Sequence, residues 1–129
     1  EFIHVVSGDK SNAARVPQKK SSAVFSPSWE PMPLSLNGHL PIEHEIPKPN
    51  DLDEMIKVAK SLADGIDFVR VDLYNPKPGR VVFGELTNYP MAGRTKFSPR
   101  SWDLRIGQRL RLDTEHYSYH RQNKTNISQ

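Results

Sequence analysis

Arg70 and Asp72 stand two residues apart, Glu85 follows Asp72 by thirteen positions, and Thr87 lies two beyond Glu85. In extended backbone, residues two apart project from the same face, so each pair presents its polar groups on one side of its strand. Two carboxylates and a hydroxyl are hard oxygen donors of the kind Mg²⁺ accepts. That ion is commonly held by one or two carboxylates, with phosphate and water completing its octahedron. A guanidinium beside them suits bidentate contact with phosphate oxygens. The chemistry this set fits is metal-assisted handling of a phosphate group. The competing reading is an exposed sheet face on which Arg70 and Glu85 pair across strands.

The elements that must position these residues follow from alternation and turn chemistry. Over residues 67–74, Val69, Val71 and Leu73 fall on one face and Phe68, Arg70, Asp72 and Tyr74 on the other. Asn75-Pro76-Lys77-Pro78-Gly79-Arg80 predicts a turn, because proline presets φ and glycine admits φ > 0. Residues 81–87 return as a second strand with Val81, Phe83, Glu85 and Thr87 on one face. With Tyr74 opposite Val81, Arg70 falls opposite Glu85 and Asp72 is its diagonal neighbour, within reach of a long side chain. A helix is predicted over 51–64. Leu52, Met55, Ile56, Ala59, Leu62 and Ala63 form an apolar stripe at helical spacing. Asp51 and Glu54 resemble a capping box, and Gly65 supplies the stop. Its stripe is expected to pack on the Val69, Val71 and Leu73 face.

Outside this unit the chain is less regular. Residues 2–6 predict a strand interrupted by the polar His4. Residues 7–50 read as a long, loop-rich connection. It begins with a basic stretch (Lys10, Arg15, Lys19, Lys20) and continues through Pro27, Pro31, Pro33, Pro41, Pro47 and Pro49, a density that forbids a long helix. Phe25, Trp29, Leu34 and Leu40 are candidates to staple it to a core. Ser98 and Pro99 read as an N-cap followed by the first position of a short helix carrying Trp102 and Ile106. Residues 113–129 read as a disordered polar tail. The fold class expected is α+β, an antiparallel sheet with packed helices, in one domain over 1–112.

Composition bounds the function further. The chain has 129 residues, 36% of them hydrophobic, and a formal net charge of +3. The absence of cysteine excludes disulfides, thiolate chemistry and cysteine-ligated metal centres. No apolar run approaches the ~20 residues of a membrane span. The charge is too mild for a nucleic-acid footprint unless clustered, and Arg100, Arg105, Arg109 and Arg111 read as a solvated face. His116 and His120 have the i, i+4 spacing of many zinc sites, but no general-base Glu lies between them. Glu43-His44-Glu45 reads as a solvated run in a proline-rich loop. Residues 1–6 carry no secretory leader and read as a strand entered part-way, so the expectation is a cytoplasmic fragment of something longer.

Arg70-Val71-Asp72-Leu73-Tyr74 and Gly84-Glu85-Leu86-Thr87-Asn88-Tyr89-Pro90 resemble the C-terminal end of ATP-grasp enzymes. There an Arg and an Asp on one strand face a Glu-x-Asn on the next. With Phe97-Ser98-Pro99-Arg100-Ser101-Trp102-Asp103 and Ile106-Gly107 downstream, the match is closest to the TupA-like (teichuronopeptide-biosynthesis) ATP-grasp family. The resemblance implies the C-terminal part of an ATP-grasp fold and an ATP- and Mg²⁺-dependent carboxylate–amine ligase that proceeds through an acyl phosphate. Such enzymes act in cell-surface polysaccharide or peptide-polymer synthesis. It implies Asp72 and Glu85 as metal ligands and Thr87 in the place of the usual Asn ligand. Arg70 matches the group that stabilises transferred phosphate, and Lys10 of the basic loop is a further candidate for nucleotide contact. Partners would be ATP, a carboxylate, an amine and an N-terminal half of the domain, with no nucleic acid. The rival reading is a non-catalytic remnant or binding module.

Overall fold

The computed structural model describes residues 1–7 and 20–110. In chain order these form β1 (Ile3–Ser7), β2 (Ser21–Phe25), β3 (Ser35–Leu36), β4 (Leu40–Pro41), α1 (Leu52–Leu62), β5 (Val69–Lys77), β6 (Arg80–Asn88), a 3-10 turn (Pro90–Gly93), β7 (Phe97–Ser98) and α2 (Ser101–Gly107). The architecture is α+β. β1 pairs antiparallel with β2, placing His4 opposite Val24, and β4 joins the other edge of β2 in parallel. β3 pairs with β7, and β5 with β6, both antiparallel.

The core sits on β2 and the segment that follows it. Val24, Leu34 and Leu36 are buried, with Phe2, Met32, Phe97, Trp102 and Ile106 packed around them. Phe2 meets Phe97 edge-on at 6.0 Å. Each fully buried Val or Leu contributes roughly 1.5–3 kcal/mol. Within the loop-rich connection expected over 7–50 lie the short strands β2, β3 and β4, which the sequence reading did not place. The sequence of β2, Ser-Ser-Ala-Val-Phe, offers little apolar alternation, and β1 supplies the pairing that makes it a strand. Two of the expected staples, Phe25 and Leu34, are buried, whereas Leu40 is exposed. Phe25 stacks on Trp29 at 4.3 Å, and the Trp29 indole N–H donates to the Ile46 carbonyl.

α1 keeps the predicted position but not the predicted cap. Leu52 is buried, and Met55, Ile56 and Ala59 are half-buried, while Leu62 at the far end of the stripe is exposed. Asp51 makes no side-chain cap. Its Oδ2 accepts instead from the Gly79 backbone N–H at 2.7 Å and from Asn75 Nδ2 at 2.6 Å, tying the start of α1 to the turn between β5 and β6. That turn is tighter than predicted. β5 runs on to Lys77, leaving Pro78 and a left-handed Gly79 as the loop.

α2 begins at Ser101 rather than at Pro99, because Ser98 is spent in β7. The Asp103 carboxylate accepts the Phe97 backbone N–H at 3.2 Å, so the Trp102-Asp103 pair fixes β7 while Trp102 joins the core. The tail expected over 113–129 lies outside the described residues.

Candidate functional site

The β5–β6 hairpin carries two register shifts, one between Tyr74 and Lys77 and one between Asp72 and Leu73, and the second sets the geometry of the polar cluster. Val69 to Asp72 pair with Asn88 to Glu85, but Leu73 then pairs with Phe83, leaving Gly84 unmatched as a bulge. Asp72 therefore lies directly opposite Glu85, Arg70 opposite Thr87, and Tyr74 opposite Val82. The regular register expected from sequence placed Arg70 opposite Glu85 and set Phe83 on the face of Glu85. An inserted residue reverses side-chain direction beyond it, which takes Phe83 to the partner position of Leu73. A side chain at the bulge would be crowded. A Cβ there would come within 2.6 Å of the Tyr74 ring and 3.1 Å of the Asp72 carbonyl oxygen.

Arg70 gathers the cluster. Its Nε donates to Asp72 Oδ1 at 2.7 Å, and its Nη2 donates to Asp72 Oδ2 at 3.0 Å, to Glu85 Oε1 at 3.1 Å and to Thr87 Oγ1 at 3.2 Å. The Thr87 hydroxyl in turn donates to Glu85 Oε1. One guanidinium nitrogen thus lies within hydrogen-bond distance of both carboxylates and the hydroxyl. The hydrogen bond to Asp72 raises the Arg70 pKa, with the charges of Asp72 and Glu85 acting the same way against a desolvation cost. The cluster is open to solvent: the Arg70 side chain is 43% exposed and that of Glu85 61%. As surface ion pairs these contacts add little stability, about 0–1 kcal/mol each.

β1 carries a histidine whose surroundings sequence reasoning did not foresee. Burial lowers the His4 pKa most, the charges of His39 and then Arg70 act the same way, and Asp72 opposes them. Among the described residues, the buried His4 Nε2 has no hydrogen-bond partner, and the ring stacks on His39 at 5.7 Å. His39 Nδ1 lies 3.2 Å from the buried Ser22 hydroxyl. The signal available in sequence was a lone polar residue within an apolar strand.

No other candidate joins this cluster among the described residues. Lys10, His116 and His120 lie outside the described residues. Glu43, His44 and Glu45 are exposed. Arg105 lies over the Trp102 ring at 4.5 Å, which accounts for one member of the basic run as a packing contact. Beyond Thr87, the chain enters left-handed backbone at Tyr89, Met91, Ala92 and Gly93, and Thr95 Oγ1 ties the segment back to the Pro90 carbonyl.

Among the described residues, no group of three or more His, Asp or Glu side chains converges as a metal cage, and no helix is long and apolar enough to cross a membrane. The donor set of Asp72 and Glu85 fits Mg²⁺ of the kind that shares its coordination with phosphate, because such a site needs only one or two carboxylates. A family model described as TupA-like ATPgrasp matches residues 12–111. No curated protein and no solved structure matches the chain.

Proposed function

The chain belongs to the TupA-like ATP-grasp family, and from that premise we propose that it serves as an ATP- and Mg²⁺-dependent carboxylate–amine ligase with its phosphate-handling site on the β5–β6 hairpin. The observation that carries this reading is the convergence of Asp72, Glu85 and Thr87 on one nitrogen of Arg70. Asp72 and Glu85 would hold the metal through carboxylate oxygens, with the Thr87 hydroxyl as a third oxygen in the place of the ATP-grasp superfamily's usual Asn. The metal supplies neutralisation of phosphate charge and a fixed orientation of the transferred group.

Arg70 is the group placed to meet negative charge that grows on the phosphate during transfer, where a preorganised donor is most effective. The carboxylate substrate attacks the terminal phosphorus of ATP, the bond to the ADP oxygen breaks, and an acyl phosphate results. An amine then attacks the acyl carbon, phosphate leaves with the bonding electrons, and an amide forms with loss of the amine's proton. Lys10 is proposed as an added phosphate contact. The assignment to cell-surface polysaccharide or peptide-polymer synthesis, in the cytoplasm where ATP is available, is inherited from the family.

Calorimetric titration of Mg·ATP into the full-length wild type and Glu85→Gln, beside thermal melts of both, tests the reading. The ligase site predicts weakened nucleotide binding with a melting temperature nearly unchanged. Unchanged affinity with a lowered melting temperature would make the cluster a structural ion pair. Intact Mg·ATP binding with no turnover on any carboxylate–amine pair would favour the non-catalytic binding module.

A further inference from the structure

We propose that Arg70 is a specificity-determining residue that makes the hairpin admit a divalent cation only when the cation arrives on phosphate oxygens. This rests on the nucleotide-site reading above and extends it to the order in which the site fills. Arg70 already occupies the position a cation would take. It spans both oxygens of Asp72 through two nitrogens and shares one of those nitrogens with Glu85 and Thr87. The carboxylate pair is therefore neutralised in part before any ligand binds, leaving a single net negative charge on the three charged groups.

A bare hydrated dication gains little at such a site. To reach the carboxylates it must displace the guanidinium, which is then left beside a doubly charged ion with only the Thr87 hydroxyl and water as partners. Mg²⁺ also gives up its water reluctantly, so weak attraction by a half-neutralised pair does not draw it in. Phosphate changes the balance. A cation carried on phosphate brings anionic oxygens with it, and a guanidinium presents five donors in a planar fork suited to them. Arg70 exchanges carboxylate partners for phosphate partners, and the alternation of charge is retained throughout. The exchange is accessible because the Arg70 side chain is 43% exposed and is not locked in the core. A guanidinium stays charged at any ordinary pH, so Arg70 carries its charge in both arrangements.

Mn²⁺, followed by its paramagnetic resonance as it leaves the free pool, provides the test in the full-length protein. It is titrated alone and then with the β,γ-imido analogue of ATP, into wild type, Arg70→Gln and Arg70→Lys, with circular dichroism as the control on folding. Wild type is expected to take up Mn²⁺ strongly only with the nucleotide. Arg70→Gln removes the competing charge and is expected to bind Mn²⁺ alone about tenfold more tightly, as loss of a like charge a few ångströms away implies. Its uptake with nucleotide falls. Arg70→Lys keeps the charge and loses the fork, so it still excludes bare Mn²⁺ while holding the nucleotide complex less well. Wild type that binds Mn²⁺ alone as tightly as with nucleotide would overturn the inference. So would Arg70→Gln with unchanged Mn²⁺ binding and intact nucleotide binding, and in both cases the site itself stands. Failure of wild type to take up Mn²⁺ with nucleotide would remove the underlying nucleotide site and the inference with it.

Discussion

Thr87 shows how much one hydroxyl can organise. It donates to Glu85 Oε1 and accepts from Arg70 Nη2, so it holds the Glu85 carboxylate toward Asp72 whether or not it also touches a metal. Thr87→Val keeps the shape and removes both contacts. Loss of about 1 kcal/mol of net hydrogen bonding corresponds to roughly fivefold weaker Mg·ATP binding, with Thr87→Ser staying near wild type. Equal affinity for all three, by calorimetry, would show that the hydroxyl plays no part. Arg70, Asp72 and Glu85 were legible in the sequence because alternation alone puts charged residues on one strand face. Their pairing was not, since nothing local distinguishes a bulged glycine from an ordinary strand glycine. His4 was legible only as an oddity, because its relation to Arg70 depends on how β1 sits in the fold.

The elements explain why these side chains meet. Gly84 supplies the unmatched residue that aligns Asp72 with Glu85. Gly84→Ala brings a methyl against the Tyr74 ring, which is exposed and can swing away, and against the Asp72 carbonyl, which is backbone and cannot. The expected cost is about 1 kcal/mol, at the low end for overpacking, together with weaker Mg·ATP binding as the two carboxylates drift out of line. A melt and a titration on one preparation check both. Asp51 makes a different point. Its place before an amphipathic run reads as an N-cap, yet its carboxylate serves residues 75 and 79. Serine would satisfy a capping role but is too short to bridge. Asp51→Ser and Asp51→Ala should therefore lower the melting temperature alike, with loss of about 1–3 kcal/mol for charge-assisted bonds of this kind. Rescue by serine would restore the capping interpretation. The helix itself was legible from its spacing, whereas this long-range partner and the strand β2 were not, because both depend on residues distant in the chain.

At the scale of the whole molecule, burial of His4 in the first sheet gives stability a pH dependence. An unfolded histidine titrates near 6.5, and burial lowers the folded value. Between the two values the unfolded chain binds more protons, so stability falls as pH drops through about 6.5 and levels off below the folded pKa. A fall in melting temperature between about pH 7.5 and about pH 5.5 is expected for wild type. His4→Phe retains a stacked ring without a titrating nitrogen, and should flatten that slope. The same slope in both proteins would assign the acid sensitivity to other groups.

The Asp51 bridge also bears on the order in which the chain acquires structure. The bonds from Asp51 to Asn75 and Gly79 join residues 24 and 28 positions apart, and α1, β5 and β6 all lie in one continuous stretch. By contrast, the backbone bond from Lys96 to the Asn37 side chain, beside the β3–β7 pair, spans 59 positions. Closing a longer loop costs more chain entropy, and contacts close in sequence form sooner. Helix and hairpin therefore behave as an early cooperative unit, with β3 and β7 joining late. Pulsed hydrogen exchange during refolding should find the amides of 52–88 protected before those of residues 36 and 97. The Arg70–Asp72–Glu85 cluster would then be assembled before the core around Leu36 and Trp102 closes.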